Sequence, residues 1–312
     1  MEPSGAPARG TCYGFEIRSS VPLAYVRGGT GPPLFIRERA ADEGPGSPLG
    51  RLIAEWPASA IMPWAGRLHD RDGGFWLWSD DLGWFGIDPS ASTISVPPTS
   101  DPVAREERLW GIPAMLCFMA RGDLPLHAAA VEIDGGAAVI AAPSKAGKTT
   151  LAAAFVRAGV RLLSEDVTCI RPSPGAQVIP GPAMIRLRQD VAAWLDISGA
   201  TRVGPTDDRV HLALHDATRG DGTPVPIRGI FLLRRSDGDP RIERLDAVRA
   251  VPDLWSLSSR IPTPDGRTRC FEGLVDAVRD VPLWNLFRPL ALEGPDHAMD
   301  MIATTIARAT GD

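Results

Sequence analysis

One short segment of this sequence has the residue types and the spacing of a phosphate-binding loop. An apolar run, AAVIAA at positions 137–142, leads into P-S-K-A-G-K-T, and the helical pattern TTLAAAFVRAGV follows. Nucleotide phosphates are bound by inward-turned backbone N–H groups, a helix N-terminus, a lysine and, through Mg²⁺, a hydroxyl group. We therefore expect ATP and Mg²⁺ here, with Mg²⁺ on Thr149 and the phosphates contacted by Ser144, Lys145, Ala146, Gly147, Lys148, Thr149 and Thr150.

Two positions depart from the pattern G-x-x-x-x-G-K-[ST] that such loops follow. Ala142 takes the place of the first glycine, and alanine tolerates only part of the backbone space open to glycine. Lys145 stands where small residues are common. The alternative is a chance G-K-T-T at the start of a helix. A strand pattern before the loop and a helix pattern after it favour the phosphate site.

A histidine is predicted at the mouth of this loop by the register of a hairpin. The apolar runs HAAAVEI and AAVIAA flank Asp134-Gly135-Gly136, which is a turn signal between two strands. If Ile133 pairs with Ala137, then His127 pairs with Pro143. The alternative for His127 is a surface or core histidine without a catalytic role.

Two adjacent carboxylates are predicted on the same side as the loop. The strand pattern RLLSEDVTCI follows the helix, and a right-handed crossover makes this strand parallel to the strand before the loop. Ligands of such sheets bind at the carboxyl ends of the strands. One of Glu165 and Asp166 can bind Mg²⁺ while the other accepts a proton from a hydroxyl. The alternative is a solvated acidic turn.

Taken together, residues 127–166 resemble the core of the HPr kinase/phosphorylase family, which places a histidine before the loop and an acidic pair after it. The stretches GFEIRSSVPL and IRGIFLLRR are similar to HPr-kinase-like proteins of bacterial peptide-modification clusters, which include lasso-peptide kinases acting on a serine of a precursor peptide. The resemblance implies an α/β fold with a mixed sheet, like that of phosphoenolpyruvate carboxykinase. It covers roughly residues 126–289.

The resemblance also implies roles for individual residues. It assigns Lys148 to the phosphates, Thr149 and Asp166 to Mg²⁺, and Glu165 with His127 to activation of the acceptor hydroxyl. The family's usual pair is Asp-Asp. Glu165 is therefore a departure that keeps a carboxylate but changes its reach, and general-base geometry tolerates little displacement.

Arginines outside the loop are further candidates for phosphate or peptide contacts, because the guanidinium fork suits such groups. Arg186 and Arg188 alternate in MIRLRQD and would point to one side of a strand. We expect Arg209 and Arg228 to join the nucleotide site, since related kinases carry arginines in similar stretches. For any one of the four, a surface salt bridge is the alternative.

The segment before residue 100 is predicted to be β-rich. Short apolar runs alternate with turn signals from Cys12 to Val96, and this segment holds five of the tryptophans, Trp56, Trp64, Trp76, Trp78 and Trp84. The Pro-rich stretch 97–102 then predicts a linker. We expect a β-rich domain at 1–100 that contacts the acceptor, and a catalytic domain at 101–312. A helix is expected from Val103 to Ala120, bent or split by Pro113.

Composition narrows the class of protein. The 312 residues are 44% hydrophobic and 23% charged, with a net charge of −5, which predicts a globular chain without the basic surface of nucleic-acid binding. The four cysteines lie far apart, which favours buried thiols over a metal cluster or disulfides. We see neither a signal peptide nor a membrane span, and expect a cytoplasmic protein.

These patterns predict an ATP-dependent kinase that transfers the γ-phosphoryl group to a hydroxyl, with a serine of a precursor peptide or small protein as the favoured acceptor. Two alternatives stay open: a kinase of a small molecule such as a sugar or amino acid, and an ATP-binding regulator without catalysis. The sequence does not fix the acceptor, the effect of Glu165 on activity, reverse phosphorolysis, the role of the N-terminal segment or whether the chain forms a homo-oligomer.

Overall fold

Three β-sheets and the helices packed on them hold the candidate residues. The computed structural model describes residues 9–309 apart from 41–42, 48, 60–61, 196, 198–199, 207–208 and 290–294. Parallel and antiparallel strand pairs occur together, so the fold is mixed α/β as predicted. Among the described residues, no helix is long and apolar enough to span a membrane.

The first sheet has eight strands in the order β1-β2-β3-β8-β7-β6-β5-β4. Apolar side chains alternate along its strands, and Leu77, Phe85 and Ile94 are fully buried on one face. This confirms a β-rich N-terminal segment, while the predicted domain boundary at residue 100 stays a prediction. The strands are β1 (Arg9–Cys12), β2 (Phe15–Ser19), β3 (Pro33–Glu38), β4 (Arg51–Trp56), β5 (Gly66–Arg71), β6 (Gly74–Ser79), β7 (Gly83–Asp88) and β8 (Thr93–Val96).

Two short helices follow the first sheet, α1 (Pro102–Trp110) and α2 (Ile112–Ala120). Asp101 caps α1 by accepting a hydrogen bond from the Ala104 amide at 3.0 Å, and Pro102 opens the helix. The predicted split is confirmed, but the helices separate at Gly111, and Pro113 lies in the first turn of α2. Proline is tolerated there because the first-turn N–H groups have no partner within the helix.

The second sheet carries the loop segment 142–149. Its strand order is β10-β9-β12-β13-β17-β19-β18, with β11 paired to β9 and an additional parallel pair between β10 and β17. Its strands are β9 (Leu124–Ile133), β10 (Gly136–Ala141), β11 (Leu162–Ser164), β12 (Val167–Arg171), β13 (Gln177–Ile179), β17 (Val225–Arg235), β18 (Arg241–Leu245) and β19 (Leu283–Arg288). The accompanying helices are α3 (Lys148–Arg157), α6 (Ala247–Leu257), α7 (Pro264–Val278) and α8 (Pro295–Ala309).

A smaller sheet of three strands lies beside α3, in the order β14-β16-β15. It consists of β14 (Met184–Arg188), β15 (Ala200–Thr206) and β16 (Arg209–Leu214), with the short helices α4 (Gln189–Leu195) and α5 (Asp216–Arg219). Arg186 of β14 is directly opposite His211 of β16. Opposed residues of an antiparallel pair share a face, so these two side chains point the same way.

A buried arginine joins the N-terminal segment to the strand that precedes the acidic pair. Arg27 has no exposed surface, and its guanidinium donates to the carbonyl oxygens of Leu162 at 2.8 Å and Gly181 at 2.7 Å. It also donates to the carbonyl oxygen of Arg219. Because one rigid group binds three separate chain segments, Arg27 fixes the end of the second sheet that leads to Glu165.

Candidate active site

The loop between β10 and α3 has the backbone of a tight turn that ends at a helix N-terminus. Gly147 precedes the helix with φ = +86°, a left-handed conformation that glycine adopts without steric cost. Lys145 also has a positive φ, +66°. Lys148 is the first residue of α3 and is buried, while Ser144 and Lys145 are exposed. The predicted strand–loop–helix order is therefore present.

His127 lies on β9 near the loop, but the predicted register was wrong by one residue. The pair Ile133–Gly136 closes a two-residue turn at Asp134 and Gly135, both with positive φ. The prediction from the sequence includes Gly136 in this turn. Continuing the observed register past its last pair, Ala141–Ala128, sets His127 opposite Ala142 instead of Pro143. On the other strand pair, His127 is opposite Val167, next to the acidic pair.

The acidic pair occupies a break between two strands where a single strand had been predicted. β11 ends at Ser164 and β12 begins at Val167, and the register against β9 shifts within β11. The hydroxyl groups of Ser164 and Thr168 are 2.6 Å apart, and Thr168 donates to the Ala128 carbonyl at 2.9 Å. These bonds hold both ends of the break, so Glu165 and Asp166 leave the ladder and their side chains face the loop.

Two side chains at the start of α3 and one on β9 contact these carboxylates. The ammonium of Lys148 donates to Oδ1 of Asp166 at 3.2 Å, and the hydroxyl of Thr149 donates to Oε1 of Glu165 at 2.7 Å. Nε2 of His127 lies 3.1 Å from the same Oδ1 of Asp166. Every residue predicted to act in catalysis therefore lies within hydrogen-bond distance of another member of the group.

Arg186 contacts the acidic pair, in place of the surface salt bridge that is its alternative role from the sequence. Its Nε donates to Oε2 of Glu165 at 3.2 Å, and its Nη2 donates to Oδ2 of Asp166 at 3.0 Å. Its Nη1 donates to Oε1 of Glu107 on α1. The available signal was the alternation of Arg186 and Arg188 in a short strand, which does not say which of the two faces a ligand site.

The cations around Asp166 decide its charge state. Burial favours the neutral acid and acts to raise the pKa of Asp166, but Lys148, the hydrogen bond to His127 and the charge of Arg186 outweigh it. The pKa therefore lies well below its usual range. For Arg186, burial acts to lower the pKa, yet Glu165, Asp166 and Glu107 raise it well above its ordinary value. Asp166 is thus an anion and Arg186 a cation near neutral pH.

The two arginines favoured from the sequence occupy different places. Arg209 begins β16 opposite Arg188, so it lies on the face of the third sheet that carries Arg186. Arg228 lies at the other end of the second sheet. Its side chain packs over Gly136, the first residue of β10. The loop follows Ala141, the last residue of this strand, which lies about 17 Å from Gly136 at 3.4 Å per residue. The structure therefore does not bring Arg228 to the loop.

The oxygen atoms of Thr149 and Asp166 fit the Mg²⁺ ion expected from the sequence. A hydroxyl and a carboxylate oxygen, on Thr149 and Asp166, are hard ligands of the type that Mg²⁺ takes. The described residues contain no group of three or more His, Cys, Asp or Glu side chains arranged to hold a metal. In nucleotide sites Mg²⁺ takes one or two protein ligands, and water and phosphate oxygens complete its coordination.

A small cavity of about 80 Å³ opens beside the acidic pair. Tyr13 of the N-terminal segment and Trp110 of α1 form part of its wall, and Met184 contributes from β14. The Tyr13 hydroxyl donates to the Trp110 carbonyl at 3.2 Å, which fixes these two walls against each other. The cavity therefore combines residues from the N-terminal segment with the carboxylates of Glu165 and Asp166.

Comparisons with known proteins add little to this description. No protein-family model matches the chain, and no curated protein matches it. Among solved structures, the chain is similar to the Hpr(Ser) kinase/phosphatase from Coxiella burnetii, at 10% sequence identity and a TM-score of 0.34. The match covers 59% of this chain and 97% of the other. Similarity at this level assigns neither a family nor a function to the chain.

Proposed function

We propose that this protein is an ATP-dependent phosphotransferase that moves the γ-phosphoryl group of ATP to a hydroxyl group. The observation that carries this proposal is the convergence of Lys148, Thr149 and His127 on the carboxylates of Glu165 and Asp166. Phosphoryl transfer requires a positioned cation, a metal ligand and an acceptor base around one phosphate. This group supplies all three within hydrogen-bond distance.

The loop binds the phosphates in this proposal. Lys148 exchanges its ion pair with Asp166 for the phosphates, and the backbone N–H groups at the start of α3 add the positive end of the helix dipole. Thr149 and Asp166 would hold Mg²⁺, which neutralises charge on the phosphates when it is bound. Because the pKa of Asp166 lies well below its usual range, this ligand is already ionised.

Glu165 acts as the general base. In the structure, Thr149 occupies its Oε1 and Arg186 occupies its Oε2. Oε1 would accept the proton of the acceptor hydroxyl once the Thr149 hydroxyl no longer donates to it, while Arg186 keeps the carboxylate oriented. Nε2 of His127 contacts Oδ1 of Asp166 at 3.1 Å, and His127 would assist Glu165 in activating the acceptor.

The acceptor in this proposal is a serine of a precursor peptide or small protein, in the cytoplasm. The sequence resemblance to lasso-peptide kinases supports a peptide. The cavity beside the acidic pair supports a small hydroxyl, because its volume of about 80 Å³ is well below the roughly 300 Å³ at which sites for drug-sized ligands begin. We assign no nucleic-acid or membrane partner.

Labelled ATP tests the proposal. The protein is incubated with Mg²⁺, [γ-³²P]ATP and two acceptor pools: peptides carrying Ser, Thr or Tyr, and small hydroxyl compounds including sugars and free serine. Acid-stable label on peptide serine supports the proposal. Label confined to a small compound contradicts the peptide acceptor but keeps the kinase. ATP binding without transfer to any acceptor or to water contradicts the kinase and favours a regulator.

A further inference from the structure

We propose that Glu107 of helix α1 is a positioning residue for phosphoryl transfer, acting through Arg186. This inference rests on the proposed function and extends it to a residue outside the loop, hairpin and strand break. Glu107 contacts Arg186 and His211.

The geometry of Arg186 carries the first step. Its guanidinium bonds three carboxylates at once, with Nη1 on Glu107, Nε on Glu165 and Nη2 on Asp166. The guanidinium is planar and its N–H groups point in fixed directions. Fixing one edge of the fork therefore fixes the other. Glu107 holds the edge that faces away from the loop, and so decides where the remaining donors meet the acidic pair.

Burial makes this contact different from an ordinary surface ion pair. The side chains of Arg186 and Glu165 are 13% and 4% exposed, and that of Glu107 is 26% exposed. Ion pairs screened in this way from solvent are strongly directional, whereas exposed pairs contribute little. Without Glu107, the charge of Arg186 would be shared by Glu165 and Asp166 alone, and its fork could rotate toward the nucleotide phosphates.

Glu107 is itself held in place from two directions. Nε2 of His211, on the strand paired with that of Arg186, lies 3.4 Å from its Oε2. Its neighbour Glu106 is buried and accepts hydrogen bonds from the amides of Ala24 at 2.7 Å and Tyr25 at 2.9 Å. The N-terminal segment therefore fixes α1, and α1 fixes Arg186.

The test compares Glu107→Gln with the wild type and with a control that removes a second ion pair of helix α1. Glu107→Gln keeps the shape and one acceptor for Arg186 but removes the charge. Asp81→Asn is the control, because it removes the 2.6 Å ion pair between Asp81 and Arg108 of α1. Both variants are assayed for phosphate release from Mg²⁺-ATP to water and for transfer to the serine peptides of the labelled-ATP screen.

We expect Glu107→Gln to lower kcat about tenfold while KM for ATP stays within about threefold, because the loop is unchanged. Asp81→Asn should leave both constants within about twofold. In an Arg186→Lys background, where the fork is gone, Glu107→Gln should lower kcat by less than about twofold further. A smaller effect of Glu107→Gln in the Arg186→Lys background is not expected of a residue that only supports folding.

Three outcomes overturn the assignment. One is an unchanged kcat in Glu107→Gln while the wild type is active, which leaves the proposed function intact. Another is a tenfold loss that persists in the Arg186→Lys background or is matched by Asp81→Asn. The third is a wild type that transfers phosphate neither to water nor to any acceptor of the labelled-ATP screen, which removes the proposed function together with this inference.

Discussion

The hydroxyl of Thr149 donates a hydrogen bond to Oε1 of Glu165 at 2.7 Å, and this bond joins the first turn of α3 to the end of β11. It connects the two elements that the sequence assigns to nucleotide binding and to catalysis. The bond also occupies the oxygen that we propose as the proton acceptor. In the proposed function Thr149 would hold Mg²⁺, and its hydroxyl would then no longer occupy this oxygen of Glu165.

Thr149→Ala should lower the rate of transfer about 100-fold, because it removes the hydroxyl that would hold Mg²⁺. Thr149→Ser is the matched control, since it keeps the hydroxyl, and should retain activity within about threefold. Steady-state transfer rates at several Mg²⁺ concentrations check this. Equal losses in the two variants would show that the hydroxyl has no special role.

Gly147→Ala should weaken ATP binding about tenfold and destabilise the protein by about 1–2 kcal/mol, because alanine is strained at positive φ. Gly159→Ala is a suitable control. Gly159 has φ = +82° just after the C-terminus of α3, and an added Cβ would meet open space. It should show a similar loss in urea unfolding with unchanged ATP affinity by calorimetry. Equal losses of affinity would contradict the assignment of the loop.

Arg27→Met should lower the free energy of unfolding by about 3 kcal/mol or more, because it leaves several buried carbonyl oxygens without their charged donor. Arg18→Met removes an arginine of β2 whose side chain is 57% exposed, and should change stability by less than about 0.5 kcal/mol. Urea unfolding of the two variants provides the comparison. A small effect at Arg27 would mean that this contact does not fix the strand before Glu165.

His211 should make stability depend on pH near neutrality. Burial lowers its pKa below the ordinary value of 6.5, an effect that outweighs the opposing charge of Glu107. The unfolded chain then binds more protons than the folded one below about pH 6.5, so this contribution to stability is full above that pH and is lost as the pH falls. The free energy of unfolding, measured with urea between pH 5 and 7, should depend less steeply on pH in His211→Gln than in the wild type. An equal dependence on pH in the two proteins would contradict the lowered pKa of His211.

Local patterns predicted the parts of the site that lie close together in sequence. The turn at Asp134, the cap at Asp101 and the acidic pair after the helix follow from short-range rules, and the structure has each of them. The register of His127 was wrong because an Asp-Gly pair closes a two-residue turn, and counting one residue more moves every cross-strand pair.

Long-range placement explains what the sequence did not reveal. Arg186 reaches the acidic pair only because β14 lies beside α3, in a sheet whose position no local pattern specifies. Arg228 was expected at the nucleotide site because related kinases carry arginines in similar stretches, yet the parallel pairing of β17 with β10 sets the start of β17 beside the start of β10. Whether a residue lies at one end of a sheet or the other depends on strand order, which hydrophobic periodicity does not encode.

The central claim is that Glu165 is the general base of phosphoryl transfer. Measuring ATP binding and phosphoryl transfer in Glu165→Gln and in the wild type tests this claim most directly. We predict that the Kd for Mg²⁺-ATP stays within about threefold, because Lys148 and the loop are intact, while phosphoryl transfer falls about 100-fold or more, because the general base is lost. A variant that binds ATP and transfers phosphate at the wild-type rate would contradict the account. So would a variant in which binding and transfer fall together.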